Sequence, residues 1–278
     1  MKHRTRRRSG LLRATGRFAL LAASAVLLAG TFTSPARAAT ITVCASGCDY
    51  TTIQAAVDAA ATGDTISVAA GTYTGNVTIG KAVTLEGAKA GVPAGPGASP
   101  AGRSTASPYT GESVVDGELR IDPVSPGTVV IDGFALVKSD SPVFMNGSLS
   151  TTIRNNIIIA NGAAYGSGSG IKKQSSASNA TYVVQHNWFK GGLYGIQINE
   201  DTAGSSWLVD GNYATTMNRF VQTFASMRAT ATYSNNRIVD VVKGIRLAES
   251  YAGTVVAFNT IDASRPSGYA IQIGRAHV

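Results

Sequence analysis

Three acidic and two basic side chains in the second half of the chain have types and spacings that suit chemistry on a sugar. Glu200 and Asp201 are adjacent, and Glu249 lies in a later segment. Two carboxyl groups on either side of a water molecule are what inverting glycoside hydrolysis needs. In the alternative, β-elimination from a uronic acid, Lys172 or Arg246 takes the proton while Glu200 and Asp201 hold a Ca²⁺ ion that neutralises the sugar carboxylate. The competing interpretation is that these loop acids only interact with solvent.

Polar and aromatic side chains in the same region have the chemistry of a polysaccharide-binding surface. Planar amide and guanidinium donors hydrogen-bond to sugar hydroxyls and carboxylates, and an aromatic ring stacks on a sugar ring. The candidate binding residues are Lys172, Tyr194, Gln197, Asn199, Gln222, Phe224 and Arg246. Trp207 and Tyr251 are further sugar platforms or, equally, covers of the core. An ordinary solvated strand face is the competing interpretation, because any such strand places polar residues toward water.

Two repeats in phase with each other must position these side chains. Asparagines recur at intervals of 31, 25, 24 and 23 residues, at Asn156, Asn187, Asn212, Asn236 and Asn259. A small or aromatic residue followed by Ile or Val recurs at intervals of 25, 25, 24 and 26 residues, at Ile171, Ile196, Val221, Ile245 and Ile271. A period near 25 with short strands and no helix predicts the coils of a β-solenoid. Val130–Gly133 fits the same frame one turn earlier, with Gly133 in the place of the asparagine.

Stacked coils would bury Ile171, Ile196, Val221 and Ile245 on one another, with parallel strands about 4.8 Å apart. Strand alternation then directs Gln197 and Asn199 outward. The predicted first outward column is Lys172, Gln197, Gln222, Arg246 and Gln272, and the second is Gln174, Asn199, Phe224 and Ala248. Glu200 and Glu249, two coils apart, would lie about 9.6 Å from each other. The asparagines are predicted to form a structural stack, since aligned amides hydrogen-bond to one another.

The N-terminal part of the predicted domain holds a short helix, a cysteine pair and a long connection. Thr51–Gln54 forms a capping box before an alanine-rich run over 55–61, which Gly63 ends. Cys44 and Cys48 are predicted to form a disulfide across a small loop in an oxidising compartment. A zinc site would need more Cys or His. Residues 88–111, rich in Ala, Gly, Pro and Ser, are interpreted as an excursion from one side of the domain.

The first 38 residues are interpreted as a secretory signal peptide. A basic segment precedes the apolar stretch Phe18–Gly30, which is too short to span a membrane, and Ala36-Arg37-Ala38 matches a cleavage site. A general secretory route and a twin-arginine route, suggested by Arg6-Arg7-Arg8, both stay open. Because the chain has 24 Lys+Arg and 16 Asp+Glu, and the excess of eight lies in this segment, the remainder is neutral. We therefore expect a secreted, extracellular monomer without a membrane span and without nucleic acid as a partner.

The segment DYTTIQAAVDAAATGDTISVAAGTYTGNVTI and the Asn-then-Gly-Ile coils resemble the pectin-lyase-like right-handed parallel β-helix superfamily of the secreted bacterial type, over residues 40–273. The resemblance implies an all-β right-handed parallel β-helix, or β-solenoid, with a short N-terminal capping helix. The superfamily holds lyases, hydrolases, esterases, epimerases and non-catalytic adhesins, so the fold does not assign a reaction. The paired-Asp and Gln motifs of pectinesterases and the Asp-Asp and Gly-His-Gly motifs of polygalacturonases are missing.

Two functions follow as expectations. The first is a protein that binds, and as a lyase or hydrolase cleaves, acidic polysaccharide or cell-surface glycan along its outward strand face. The second is a non-catalytic surface, adhesion or structural module of a larger protein. Residues 273–278 can be encoded by ATCGGAAGAGCACACGTC, which resembles a sequencing adapter. We therefore interpret 39–273 as a β-helix truncated at its C-terminus and 274–278 as an artefact tail.

Overall fold

The structure, a computed structural model, describes residues 38–96, 103–122, 127–147, 150–160, 167–175, 179–199, 204–224, 229–250 and 252–276. Within these ranges the chain winds as a parallel β-solenoid of about eight turns with one short helix, a right-handed parallel β-helix. The fold class predicted from the repeats is confirmed. Every strand pair has parallel register, and the strands form three faces, which we name A, B and C.

Face A is a nine-stranded parallel sheet. Its strands, in spatial order, are β1 (Thr40–Val43), β2 (Thr65–Val68), β5 (Thr84–Glu86), β8 (Thr128–Asp132), β11 (Ser150–Arg154), β14 (Thr181–Gln185), β17 (Ser206–Asp210), β19 (Thr230–Ser234) and β21 (Val255–Ala257).

Faces B and C are joined, because β18 (Tyr213–Thr223) and β20 (Arg237–Ser250) each continue from B into C. The other strands of face B are β3 (Gly71–Thr74), β6 (Ser113–Asp116), β9 (Phe134–Lys138), β12 (Ile157–Ala160), β15 (Trp188–Lys190) and β22 (Thr260–Ile261). The other strands of face C are β4 (Val77–Ile79), β7 (Leu119–Ile121), β10 (Val143–Asn146), β13 (Ser169–Ser175), β16 (Tyr194–Ile198) and β23 (Tyr269–Ala276).

The hydrophobic core fills the tube that the three faces enclose. On face C, Ile171 pairs with Ile196, Ile196 with Val221, and Val221 with Ile245. All four side chains are fully buried. The predicted vertical Ile/Val column is therefore confirmed, and it shows that each coil completes its apolar lining by stacking on the next.

The predicted asparagine stack is also confirmed, at the corner between faces A and B. Asn187 donates its backbone N–H and its side-chain amide to Oδ1 of Asn212, both at 3.0 Å, and the same pair of bonds repeats from Asn156 to Asn259. Each amide also donates to a backbone carbonyl, as Asn187 does to Ile153 at 2.8 Å. The stack satisfies polar groups that the bend would otherwise leave buried without a partner.

The assignment of Gly133 to this stack is wrong by one residue. Register pairs Asp132 with Arg154, so Gly133 aligns with Asn155, and Phe134 occupies the asparagine position. The residue before each stacked asparagine has a positive φ, and Gly133 has φ 79°. A Cβ at Gly133 would lie 2.0 Å from the backbone nitrogen of Ala90. Gly133 is therefore required by the left-handed turn and by close packing, and not as a substitute for an amide.

Helix α1 (Ile53–Ala59) covers the N-terminal end of the tube with its buried Ile53 and Val57. Its N-cap is Thr52, whose side chain accepts a hydrogen bond from Ala55, and not Thr51 as the capping box predicted. Gln54 does not close the box, because its amide bonds to Thr78 of the adjacent coil instead. The predicted disulfide between Cys44 and Cys48 is present. The last coil lacks such a cover among the described residues, and Phe258 is 86% exposed there.

The long connection after β5 folds back over the outward side of face B, as an excursion from one side of the domain. We name its described parts, residues 88–96 and 103–112, the strap. Outward apolar residues of face B pack with Ala94 of the strap in a second, smaller core of Ala94, Val114, Ala135, Val137, Ile157 and Ile159. Tyr109 and Trp188 pack against this core. Face B is thus buried on both sides over its middle strands.

Candidate functional site

The predicted first outward column exists on face C. Lys172 pairs with Gln197, Gln197 with Gln222, Gln222 with Arg246, and Arg246 with Gln272. The column also extends toward the N-terminus, through residues that sequence reasoning did not include: Phe144, Arg120 and Thr78. The structure therefore aligns basic, amide and aromatic side chains parallel to the axis of the solenoid.

Gln222 differs from the expectation that it is exposed. Lys172, Gln197 and Arg246 are partly exposed, whereas Gln222 is fully buried. Its Nε2 donates to the carbonyl of Thr223, and its Oε1 accepts no hydrogen bond from any described residue. Gln222 therefore keeps its place in the column but is buried there, which alternation alone does not predict.

The amides of the two columns form one hydrogen-bonded network. Gln197 accepts from Ser169 at 2.5 Å and donates to Asn199 at 2.7 Å, and Asn199 donates to Gln174 at 2.9 Å. These bonds hold the amide groups in fixed orientations across two coils. The network supports a pre-organised polar surface, because less side-chain freedom is lost when a ligand binds.

Sequence reasoning missed two basic residues of face C, Arg219 and Lys243. They lie in a third column, in which Tyr194 pairs with Arg219, Arg219 with Lys243, and Lys243 with Tyr269. The Arg219 guanidinium lies 5.6 Å from the centroid of the Tyr194 ring and donates to its hydroxyl at 3.3 Å. The Lys243 ammonium lies 5.0 Å from the centroid of the Tyr269 ring. The same coil register, applied to the residues before the Ile/Val column, would have found them.

We name Lys172, Arg219, Lys243 and Arg246 the cationic cluster. In the part of the chain that the structure describes, none of these four side chains forms a salt bridge. Burial lowers the pKa of Lys243, and repulsion from Arg219 and then Arg246 lowers it further. Arg120, in an earlier coil of the same face, is instead paired with Asp122 at 2.8 Å. Among the described side chains, unpaired positive charge therefore accumulates toward the later coils of face C.

Aromatic rings border the cationic cluster. Phe144 lies between Arg120 and Lys172, at 4.8 and 5.9 Å from its ring centroid. Phe224 meets Tyr194 edge to face, with centroids 6.1 Å apart. These rings offer apolar surface beside charge, which suits a sugar chain that carries acidic groups.

Other predicted residues have different positions. Trp207 is buried in face A, 4.5 Å from the Tyr182 ring between centroids, so it covers the core. Glu200, Asp201 and Tyr251 lie outside the described residues. The backbone of Glu249 pairs with Arg275, but the side chain is not described. The catalytic carboxylate pair, its separation and the predicted Ca²⁺ ligands therefore stay predictions.

Comparison with known proteins assigns neither a family nor a function to the chain. The chain matches no protein-family profile and no curated protein sequence. Among the described residues, none of the helices is long and apolar enough to cross a membrane. The described residues also hold no group of three or more His, Cys, Asp or Glu arranged to bind a metal ion. The predicted signal peptide precedes the described residues, so secretion stays a prediction.

Proposed function

We propose that the protein binds an acidic polysaccharide along face C, through the cationic cluster. The observation that supports this most strongly is the absence of any salt bridge to the cluster's four side chains among the described residues. Like charges held close together repel one another, and an anionic ligand removes that repulsion. The polyanion would supply the counter-charges that the chain's own described residues do not.

The geometry of the cluster suits an extended ligand. Lys172 and Arg246 lie three strands apart in one column, which corresponds to about 14 Å at the spacing of parallel strands. Arg219 and Arg246 offer planar guanidinium groups that bind carboxylates through two parallel hydrogen bonds. Gln197 and Asn199 add amides for sugar hydroxyls, and Phe144 and Tyr194 add apolar surface. A glycan running along the axis would meet all of these groups in turn.

Cleavage by β-elimination is a second candidate function, favoured by Lys243. A base that removes a proton at neutral pH needs a pKa below that of an ordinary lysine, and Lys243 is shifted in that direction. Its neighbours Arg219 and Arg246 would neutralise the uronate carboxylate, which makes the adjacent carbon acid stronger. Lys243 is therefore a further candidate base beside Lys172 and Arg246. The rival, a non-catalytic surface module, would bind without producing new chain ends.

Titration calorimetry with a polyuronate, with neutral dextran as the comparison ligand, tests the binding proposal. The double variant Arg219→Ala, Lys243→Ala should bind the polyuronate at least about tenfold more weakly, because two charge-assisted contacts are lost. Arg237→Ala is the matched control. Its guanidinium also lies over a tyrosine ring, 5.5 Å from the centroid of Tyr213, but on face B. Equal losses in both variants, or equal binding of dextran, would contradict the proposal.

The reaction needs a separate assay, because binding alone does not distinguish a lyase from an adhesin. β-Elimination produces an unsaturated uronate that absorbs in the ultraviolet, whereas hydrolysis produces reducing ends without that absorbance. If the protein is a lyase, Lys243→Gln should abolish the increase in ultraviolet absorbance and keep most of the affinity for the polyuronate. Binding with no new ends of either kind would favour the non-catalytic module.

A further inference from the structure

A cleft of about 330 Å³ opens between the strap and the outward side of face B, in the early coils. Its floor is formed by Val114 of β6 and Val137 of β9, and its wall by Pro108 and Tyr109 of the strap. The volume falls within the range of small-ligand sites. The cleft belongs to a different face from the cationic cluster, and the proposed glycan-binding surface does not use it.

The wall of the cleft is held in place from beneath. Arg103 and Glu112 form an ion pair at 2.8 Å whose side chains are only 4% and 1% exposed. The Arg103 guanidinium also donates to the carbonyls of Val92 at 2.9 Å and Phe134 at 3.2 Å. The carbonyl of Glu112 also accepts the N–H of Gly71 in β3 at 3.0 Å. Because the strap is thus tied to face B on both sides of Tyr109, the cleft is pre-organised and need not be formed by a ligand.

The polar side chains at the rim of the cleft have no hydrogen-bond or ion-pair partner among the described residues. The side chains of Thr72, Ser107, Tyr109 and Asp116 line it, and none of them hydrogen-bonds or ion-pairs with a described residue. Burial raises the pKa of Tyr109, and the nearby Asp116 carboxylate raises it further, so the phenol stays protonated as a donor. The rim therefore offers one carboxylate acceptor and three hydroxyl groups, all free to bind.

We propose that this cleft binds a neutral sugar unit. A carboxylate accepts hydrogen bonds from two adjacent hydroxyls, and the three rim hydroxyls can donate to or accept from the rest of the ring. The valine floor and the Pro108–Tyr109 wall offer apolar surface to the C–H faces of the sugar. Asp116 is exposed and has no ion-pair partner among the described residues, and its negative charge repels the like charge of a uronate. The cleft thus selects against the acidic sugars that suit face C.

Ligand-observed saturation-transfer NMR on the full chain tests the site. The probes are glucose, galactose and mannose, each compared at equal concentration with glucuronate and galacturonate. At least one neutral hexose should give saturation transfer, whereas any saturation transfer to a uronate should come from face C and should be unaffected by Thr72→Trp. Asp116→Asn should weaken the hexose about tenfold, since it removes a charge-assisted acceptor while keeping the shape. Asp262→Asn, at another exposed aspartate, is the matched control and should leave hexose binding unchanged.

A second variant keeps the test informative if Asp116→Asn has a small effect. Thr72→Trp places a large side chain at the exposed rim and should block the hexose without disturbing the core. Arg219→Ala with Lys243→Ala should leave hexose binding unchanged, so failure of this proposal is distinguishable from failure of the one for face C. The proposal is overturned if no neutral hexose binds, or if a bound hexose is unaffected by both Asp116→Asn and Thr72→Trp.

Discussion

Faces B and C are both built of parallel strands, yet their outward sides differ in composition and in what covers them. On face B the outward residues of the middle strands are apolar, such as Val137, Ile157 and Ile159, and the strap covers them. On face C the outward residues are cations, amides and aromatic rings, and among the described residues no segment like the strap lies over them.

The arginines of the two faces also differ in burial and in pairing. Arg103 under the strap is buried and paired with Glu112, whereas Arg219 and Arg246 on face C have no acidic partner among the described residues. A buried charge must be paired to be tolerated, but a charge at the surface can be left for a ligand. The difference indicates that face B serves stability where the strap covers it, and it supports the proposal that face C binds an anionic ligand.

The largest expected effect is loss of the buried ion pair. Arg103→Ala leaves the Glu112 carboxylate buried without its partner, so we expect the free energy of unfolding to fall by about 3–5 kcal/mol. Arg219→Ala on face C should change it by less than about 1 kcal/mol. Urea denaturation followed by circular dichroism measures both. Similar losses in the two variants would remove the contrast between the faces.

The next effect concerns the apolar residues beneath the strap. Ile157 points outward but is fully buried, so Ile157→Ala should lower the free energy of unfolding by about 2–4 kcal/mol. Lys172→Ala, at an outward position of face C, should stay within about 0.5 kcal/mol of the parent. A small loss at Ile157 would mean that the strap does not exclude water from face B.

The smallest effect is a pH dependence on face C. Because the pKa of Lys243 is lowered in the folded state, the unfolded state binds more protons, and stability rises as pH increases through the folded pKa. The charged Lys243 ammonium therefore destabilises the folded state at neutral pH, and this destabilisation is lost at alkaline pH. Lys243→Gln should be more stable than the parent at pH 7, by less than about 1 kcal/mol, and this advantage should shrink toward pH 10. An advantage that does not depend on pH would contradict the charge-based explanation.

The features that sequence predicted well are those that repeat. The Ile171–Ile196–Val221–Ile245 column and the asparagine stack follow from intervals that the coil imposes on every turn. The disulfide between Cys44 and Cys48 could be predicted because the two residues are close along the chain.

The features that sequence missed depend on where the chain bends or on distant partners. Arg219 and Lys243 lie two residues before Val221 and Ile245, so simple alternation would have placed their side chains inward with that column. The Arg103–Glu112 pair lies within a connection without any periodic pattern, so nothing in its composition indicated a buried charge. Gly133 was misaligned because a requirement for positive φ and a requirement for an amide fall on adjacent residues.

The asparagine stack has a consequence for how the protein tolerates change in length. Its amides bond directly across intervals of 31, 25, 24 and 23 residues, although the connecting segments differ in size. Outside its own coil, each amide bonds only to the coils directly before and after, so the stack fixes the spacing between coils once per turn, whatever the length of the loops between strands. Foreign peptides inserted into the 31-residue coil between Asn156 and Asn187 should therefore project from the edge of the tube without displacing the neighbouring coils.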